Sequence, residues 1–398
     1  MKVLQINSVC GIRSTGRICT DIADILAQNG HDCKIAYGRE TVPDEYKKYA
    51  VRIGSDLGVK IDALKSRIFD NAGFNSKRAT KKFIKWVEEY DPDVIHLHNI
   101  HGYYINVEIL FDYLKRSNKP VIWTLHDCWS FTGHCSHYDF VGCEKWKKIS
   151  CSNCPEKKSY PASLFCDNSS KNIVKKKKCF TGLNNLTIVT PSNWLADQVQ
   201  LSYLKDYPIK VIYNGIDLDV FKPTPSDFRK KYGLEDKKII LGVASTWTER
   251  KGYNDFLKLS EMLDDNYKIV LVGVSPKQFK TLPANILGIT RTENVKQLAE
   301  IYTAADVFFN PSREETMGLT TVEAMACGTP VVVSNCTAVP EVVCNDSGMI
   351  LDNFNFDIII LRINSVIENR YYNTCHNAKL FEKGMQYNKY FIIYNEML

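Results

Sequence analysis

Two acidic residues, Glu315 and Glu323, stand with seven residues between them and Gly318 inside the gap. The surrounding stretch, Asn310-Pro311-Ser312-Arg313-Glu314-Glu315-Thr316-Met317-Gly318-Leu319, reads as a strand end, a polar loop and a helix opening near Gly318. A glycine at that point lets a ligand approach the backbone. The helix N-terminus offers unpaired N–H groups and a partial positive charge, which suit a pyrophosphate. Glu315 in the loop and Glu323 about a turn and a half into the helix can line one ligand from different ends. Each carboxylate is able to accept hydrogen bonds from a diol. Taken singly, the glutamates also fit plain surface charges and the glycine plain packing.

Other residues carry chemistry of different kinds. Lys251, next to Arg250, offers a cation for a diphosphate. His126 follows the strand ending Thr124-Leu125 and sits where ligands gather in parallel α/β sheets, beyond the carboxyl ends of the strands. His96 and His98 end another strand, and a period of two turns both toward one face. The Asp-x-Asp pairs Asp91-Pro92-Asp93 and Asp217-Leu218-Asp219 read as a turn and a linker. Cys135, Cys143, Cys151 and Cys154 share a long polar loop, with Cys151-Ser152-Asn153-Cys154 resembling half of a zinc knuckle. Three readings stay open for them: a four-thiolate structural zinc site, free thiols or disulfides. His134, His137 and Cys128 are spare candidate ligands.

The elements that must position these groups are short apolar strands alternating with helices. Val3–Asn7, Lys34–Tyr37, Val94–His98, Pro120–His126 and Leu186–Thr190 form one series; Ile18, Ile22, Ile25 and Leu26 mark a helix after the first strand. The grammar restarts at Lys237–Val243, Lys268–Gly273, Val307–Asn310 and Pro330–Val333. Strand–helix–strand order with tight connections implies parallel sheets covered by helices. The Pro- and Asp-rich stretch from Asp217 to Asp227 separates two α/β halves, which are expected to enclose a cleft.

The composition is that of an ordinary soluble protein, 44% hydrophobic and 24% charged, with a formal net charge of +6. That balance is too mild to argue for nucleic acid. No run of eighteen apolar residues predicts a transmembrane helix, and the start lacks a secretory pattern. A reducing cytoplasm is expected, with most of the 14 cysteines as thiols or metal ligands. The run Lys175-Lys176-Lys177-Lys178 fits a solvated helix face or contact with an anionic membrane.

The 310–332 segment, with Glu323-Ala324-Met325-Ala326 and Gly328-Thr329-Pro330-Val331-Val332, resembles the E-x7-E region of retaining family-4 glycosyltransferases. Further likeness lies at Pro191-Ser192-Asn193-Trp194, at Val211 to Asp217 and at Arg250-Lys251-Gly252. The resemblance implies the GT-B fold, two Rossmann-like α/β/α domains facing each other across a cleft. Residues 1–214 would bind the acceptor and include a Cys-rich loop at 128–166. Residues 215–380 would bind a nucleotide-diphosphate sugar of UDP or GDP type, and a helix at 381–398 would pack back on the first domain.

By the same resemblance Glu323 binds the ribose and Glu315 faces the donor sugar. The backbone of Met317, Gly318 and Leu319 meets sugar hydroxyls or phosphate. Lys251, with Arg250, neutralises the diphosphate, and Arg291 lies in the base-recognition segment 288–294. Gly16 lets the first loop approach the donor phosphate. His126, Glu315 and Lys251 are the catalytic candidates. The family often carries a Gly-Arg pair before the lysine; here Ala244-Ser245 stands there. No cofactor is required for catalysis. The implied acceptor is a saccharide or lipid-linked saccharide of a bacterial capsule, exopolysaccharide or O-antigen, met in the cytoplasm with peripheral contact to the inner membrane and no nucleic acid. The rival readings are a nucleotide-sugar epimerase of the same fold and an inactive nucleotide-sugar-binding module.

Overall fold

Apolar, β-branched runs too short for helices and buried on both faces can only satisfy their backbone groups by pairing with similar neighbours. The computed structural model, which describes residues 1–344, 346–369 and 373–398, pairs them into two separate parallel sheets. One compact unit comprises Met1–Tyr213 with Gln386–Leu398; the other comprises Asn214–Met385.

The first unit holds β1 (Lys2–Asn7), β2 (Asp32–Tyr37), β3 (Ala50–Arg52), β4 (Val94–Leu97), β5 (Val121–Thr124), β6 (Leu186–Thr190) and β7 (Ile209–Val211). Their order is β3-β2-β1-β4-β5-β6-β7, every pair parallel. Alternation along the strands divides the core. Leu4, Ile6, Leu97, Trp123 and Ile188 pack on one face. Val3, Ile35, Val94, Ile122 and Val189 pack on the other, under Ile18, Ile22 and Leu26 of the helix Arg13–Gln28.

That second face is completed by the last helix, Lys383–Met397, through Tyr387, Tyr390, Ile393 and Tyr394. Its tyrosines reach buried polar groups of the sheet. The Tyr394 hydroxyl lies 2.6 Å from His96 Nδ1, His96 Nε2 lies 2.8 Å from Thr124 Oγ1, and Thr124 donates to the Tyr390 hydroxyl at 3.0 Å. Since Thr124 spends its proton on Tyr390, it accepts from His96 Nε2–H, and Tyr394 donates to Nδ1.

The second unit holds β8 (Lys238–Val243), β9 (Tyr267–Val272), β10 (Ile286–Ile289), β11 (Val307–Asn310), β12 (Val331–Ser334) and β13 (Gly348–Leu351), ordered β10-β9-β8-β11-β12-β13. Ile240, Ile269, Phe309 and Val332 fill its core against Phe256, Leu259, Ile359 and Ile363 of the covering helices.

Two expectations change here. The long loop after β5, expected to be polar, has an apolar interior: Trp129, Phe131, Tyr138 and Trp146 are buried, with Phe131 and Trp146 rings 4.9 Å apart. The lysine run, on the helix Ser169–Phe180, is not uniformly solvated. Lys176 is buried, 3.6 Å from the Trp129 ring centre, and donates to the carbonyls of Trp129 (2.7 Å) and Thr132 (3.1 Å). Burial lowers its ammonium to about 7. Lys175, Lys177 and Lys178 remain exposed.

Replacing Tyr394 by Phe strands His96 Nδ1 without its donor inside the core. Stability measured by urea unfolding is expected to fall by about 1–3 kcal/mol.

Candidate active site

In the second unit the turn after β8 and the loop after β11 are locked together. Gly252 adopts φ +76°, and a Cβ there would stand 2.4 Å from Pro311 Cγ, so the Arg250-Lys251-Gly252 turn seats directly on the start of the acidic loop. Arg250 donates to the Glu314 carbonyl at 3.0 Å, and Arg313 N–H donates back to the Arg250 carbonyl at 2.8 Å. The seating brings the Lys251 ammonium into an ion pair with the Glu315 carboxylate. Burial opposes charge on Glu315, but Lys251 and then Arg250 outweigh it and hold the carboxyl below its usual range. Thr337 Oγ1 accepts from Glu315 N–H and donates to its carbonyl, both at 2.9 Å.

Gly318 caps the helix Leu319–Ala326 with φ +90°, a conformation that an L side chain resists although there is room for one. Glu323, on this helix, is oriented by the Tyr302 hydroxyl at 2.9 Å. Met317 is buried, its sulfur receiving the Asn214 N–H at 3.1 Å. Lys251, Glu315 and Arg250 therefore form one constellation, and Glu323 is held by its own partner. Arg291 lies exposed after β10, and Ser245 is exposed after β8.

In the first unit three strand ends converge on one face of the sheet. His126 Nε2 is 3.0 Å from His98 Nδ1, and His98 Nε2 is 3.0 Å from Gln5 Oε1. Burial lowers the His126 imidazole to about 4, with Asp127 opposing and His101 adding to the shift. His101 Nε2 stands 2.9 Å from Asp127 Oδ2. Burial disfavours charge on Asp127, yet His101 outweighs it and brings the carboxyl down to about 2. A small pocket here is lined by His98, His101, His126, Asp127 and Trp129 among others. Gly16 is not in a loop: the helix begins at Arg13, so Gly16 occupies its first turn, and its carbonyl accepts from Gly11 N–H at 3.1 Å. Its missing side chain leaves space that Val9 and Gly11 would otherwise contest at 3.1–3.2 Å.

None of the fourteen cysteines, all among the described residues, is in a disulfide. Cys135 and Cys154 share a hydrogen bond that draws the Cys154 thiol down to about 7 and raises Cys135. Cys143 and Cys151 pack against the same core. Among the described residues no group of three or more His, Cys, Asp or Glu side chains is arranged to hold a metal ion. The loop relies on its aromatic core, on Lys176 and on the buried His134–Asp70 pair.

Residues 15–220 match the model of Glycosyltransferase Family 4, and residues 226–383 match that of Glycosyl transferases group 1. The chain belongs to glycosyltransferase family 4. It is a transferase by that membership. It is 24% identical over 362 residues to a putative colanic acid biosynthesis glycosyl transferase, WcaC, of Escherichia coli K12, covering 87% of this chain and 86% of that protein. Among solved structures it resembles sucrose-phosphate synthase from Thermosynechococcus elongatus, with TM-score 0.73 and 16% identity over 100% of this chain and 98% of that one. It also resembles Anabaena HepE in complex with UDP, with TM-score 0.68 and 15% identity over the whole of both chains. These structural likenesses establish the GT-B fold.

Tyr302, Gln5, His101 and Asp127 were not among the expected site residues, whereas His98 was singled out with His96 at the end of its strand. Period-two reading of β1 beside β4 places Gln5 on the face of His96 and His98, which is the signal that could have found it.

Lys251→Met removes the cation that keeps Glu315 ionised. A carboxyl with a lowered folded-state pKa contributes stability above its unfolded value and loses it as pH falls through the folded one. Denaturant unfolding between about pH 5 and pH 3 should therefore show a smaller acid-side loss of stability in the variant than in the wild type.

Proposed function

We propose that this family member is a retaining, metal-independent glycosyltransferase. In this reading it moves a sugar from a nucleotide diphosphate of UDP or GDP type to a hydroxyl of a saccharide or lipid-linked saccharide in bacterial surface-polysaccharide synthesis. The observation carrying it is the Lys251–Glu315 pair beside the Gly318-capped helix. A carboxylate for sugar hydroxyls, a cation for phosphate and open backbone N–H groups lie within one small region. The colanic acid name of one relative and the UDP held by HepE support the polymer and the donor class.

The second unit binds the donor in this scheme. Glu323 takes the ribose diol, the backbone of Met317, Gly318 and Leu319 takes hydroxyls or phosphate, and Lys251 with Arg250 stabilises the departing diphosphate. The glycosidic C–O bond to phosphate breaks as a new C–O bond forms from the acceptor oxygen on the same face. The acceptor's proton leaves on the diphosphate. The first unit binds the acceptor, with His126 neutral at working pH and able to hydrogen-bond a sugar hydroxyl.

Peripheral contact with an anionic membrane has its own support. The helix Asp56–Phe69 is inside out: Asp62 and Ser66 are buried, while Leu57 (68%), Ile61 (46%) and Leu64 (59%) are exposed along one stripe. Asp62 is satisfied by Asn75, Ser76 and Ser66. Lys60, Lys65 and Arg67 flank the apolar stripe, and Phe165 (73%) is exposed on the loop that bonds to the Arg67 carbonyl through Leu164 N–H. An apolar stripe edged by cations fits the boundary of an anionic bilayer. Among the described residues no helix is long and apolar enough to cross a membrane.

Lys251→Ala is expected to lower transfer at least about a hundredfold while circular dichroism stays unchanged; full turnover would remove Lys251 from the mechanism. A thermal-shift screen of nucleotides should show one diphosphate stabilising the protein above the others, naming the base. In flotation with anionic phospholipid vesicles, Leu57→Glu with Leu64→Glu should cut the bound fraction at least about tenfold and leave transfer to a soluble acceptor intact.

A further inference from the structure

One arginine of the first unit has no carboxylate to match it. Arg39 follows β2, its backbone N–H donating to the Ser8 carbonyl at 2.9 Å, and it is half-buried. Its cationic neighbours are paired: Arg13 meets Glu40 at 2.6 Å, and Arg52 meets Asp56. Among the described residues Arg39 forms no ion pair, and it faces aromatic groups instead. Its guanidinium carbon stands 5.9 Å from the centre of the Tyr103 ring. Tyr103 is held at φ +71°, a region that bulky side chains rarely adopt and that recurs at ligand sites. Gly102, at φ +117°, presents bare backbone beside the guanidinium, where a Cβ would come 3.6 Å from Nη1. A ring and a glycine supply contact but no counter-charge. A guanidinium drawn partly out of water in this way holds its N–H fork ready for an anion.

The same corner holds a second cation. Burial raises the Tyr103 hydroxyl, and the charges of Arg67 and Arg39 both oppose that shift, so two guanidinium groups act on one phenol. Arg67 is exposed near the end of the helix Asp56–Phe69. Toward the sheet, the Tyr103 ring meets Tyr160 edge-on, their centres 6.1 Å apart. The Tyr160 hydroxyl lies 3.2 Å from His101 Nδ1, and His101 is the partner of Asp127 in the pocket that His126 lines. Toward solvent, the loop that carries Tyr160 is fastened to the Arg67 carbonyl by Ser163 Oγ at 3.3 Å and Leu164 N–H at 2.8 Å. That fastening leaves Leu164 and Phe165 exposed at the end of the helix bearing the apolar stripe of Leu57, Ile61 and Leu64.

Across this surface of the first unit the order is a polar pocket, two cations and an apolar edge. A saccharide carried on a lipid phosphate has the same order: sugar, anion, hydrocarbon. We propose that Arg39, with Arg67 beside it, is the subsite for the phosphate of a lipid-phosphate-linked acceptor. The sugar end is turned toward His126 and Asp127, and the chain passes Leu164 and Phe165 to the apolar stripe. Given the glycosyl-transfer reading on which this rests, the acceptor narrows from saccharides in general to those carried on a lipid phosphate. Arg39 is then a specificity-determining residue. A guanidinium binds phosphate through two parallel N–H···O contacts, so it fixes where the anion sits as well as supplying charge. A neutral saccharide would leave that cation unmatched, and an anion without a chain would leave the apolar edge in water.

The test is isothermal titration calorimetry of the full chain with n-octyl phosphate below its micelle concentration, run beside inorganic phosphate and 1-octanol. The wild type is expected to bind octyl phosphate at least about tenfold more tightly than either. Arg39→Gln should lose at least about tenfold of that affinity, and Arg39→Lys, which keeps the charge without the fork, should lose less. Arg67→Gln, made at an exposed side chain that the fold does not need, should also weaken binding. Leu164→Ser with Phe165→Ser should weaken octyl phosphate and leave inorganic phosphate unchanged. Absence of octyl phosphate binding by the wild type, or equal affinity in the wild type, Arg39→Gln and Arg67→Gln, overturns the subsite. Equal affinity for inorganic phosphate and octyl phosphate overturns the lipid source and makes free phosphate the ligand. No sugar donor enters these titrations. A chain that bound octyl phosphate through Arg39 yet transferred no sugar would therefore overturn the transfer reading and leave the subsite standing.

Discussion

A half-buried ammonium group must regain from the protein what it loses in hydration, and at Lys251 a carboxylate meets that requirement and organises the neighbourhood. Its pairing with Glu315 joins two loops that are 64 residues apart in the chain. Gly252 makes the approach possible by having no side chain to strike Pro311. The pairing also sets the electrostatics. Glu315 stays ionised despite burial, and in the proposed reaction a lysine already drawn into place needs little reorganisation to meet phosphate. The helix Leu319–Ala326 begins four residues after Glu315, so carboxylate and backbone donors share one short piece of chain, on which Lys251 is seated from another loop.

The first unit solves a different problem, that of polar side chains placed inside a parallel sheet. Gln5, His96, His98 and Thr124 sit where apolar residues would be expected, and each is buried. The structure meets the cost by joining them into two short hydrogen-bonded chains. One ends on tyrosines of the last helix, and the other runs out to His126. Such networks are stable only when complete. Lys176 follows the same rule beneath the loop after β5, where two carbonyls and the Trp129 ring replace its water.

Much of this was legible in the chain, and the omissions share a cause. The strands read from apolar runs, β1, β2, β4, β5, β6, β8, β9, β11 and β12, are those with neighbours on both sides. The four that went unread, β3, β7, β10 and β13, are the outermost strands of their sheets. An edge strand keeps polar or half-exposed positions, as in Ile209-Lys210-Val211, and so lacks the continuous signal. The acidic loop and its glycine were readable because their spacing is local. The partnership of Lys251 with Glu315, and of Tyr302 with Glu323, is a product of tertiary packing that no window of sequence contains. In the cysteine loop the half-knuckle spacing is local and so legible, whereas the hydrophobic interior supplied by Trp129, Phe131 and Trp146 arises only from packing.

The last helix has a bearing on how the molecule is made. Tyr390 and Tyr394 complete hydrogen bonds of a sheet whose strands all lie before residue 212, while residues 214–385 build a unit continuous in sequence. On the ribosome the later unit can close as soon as its own strands emerge, but the earlier one must wait, its histidine-lined face uncovered, until the closing segment arrives. The order of completion is thus the reverse of the order of translation. A nascent chain stalled before residue 386 would present that unsealed face to chaperones rather than a finished domain.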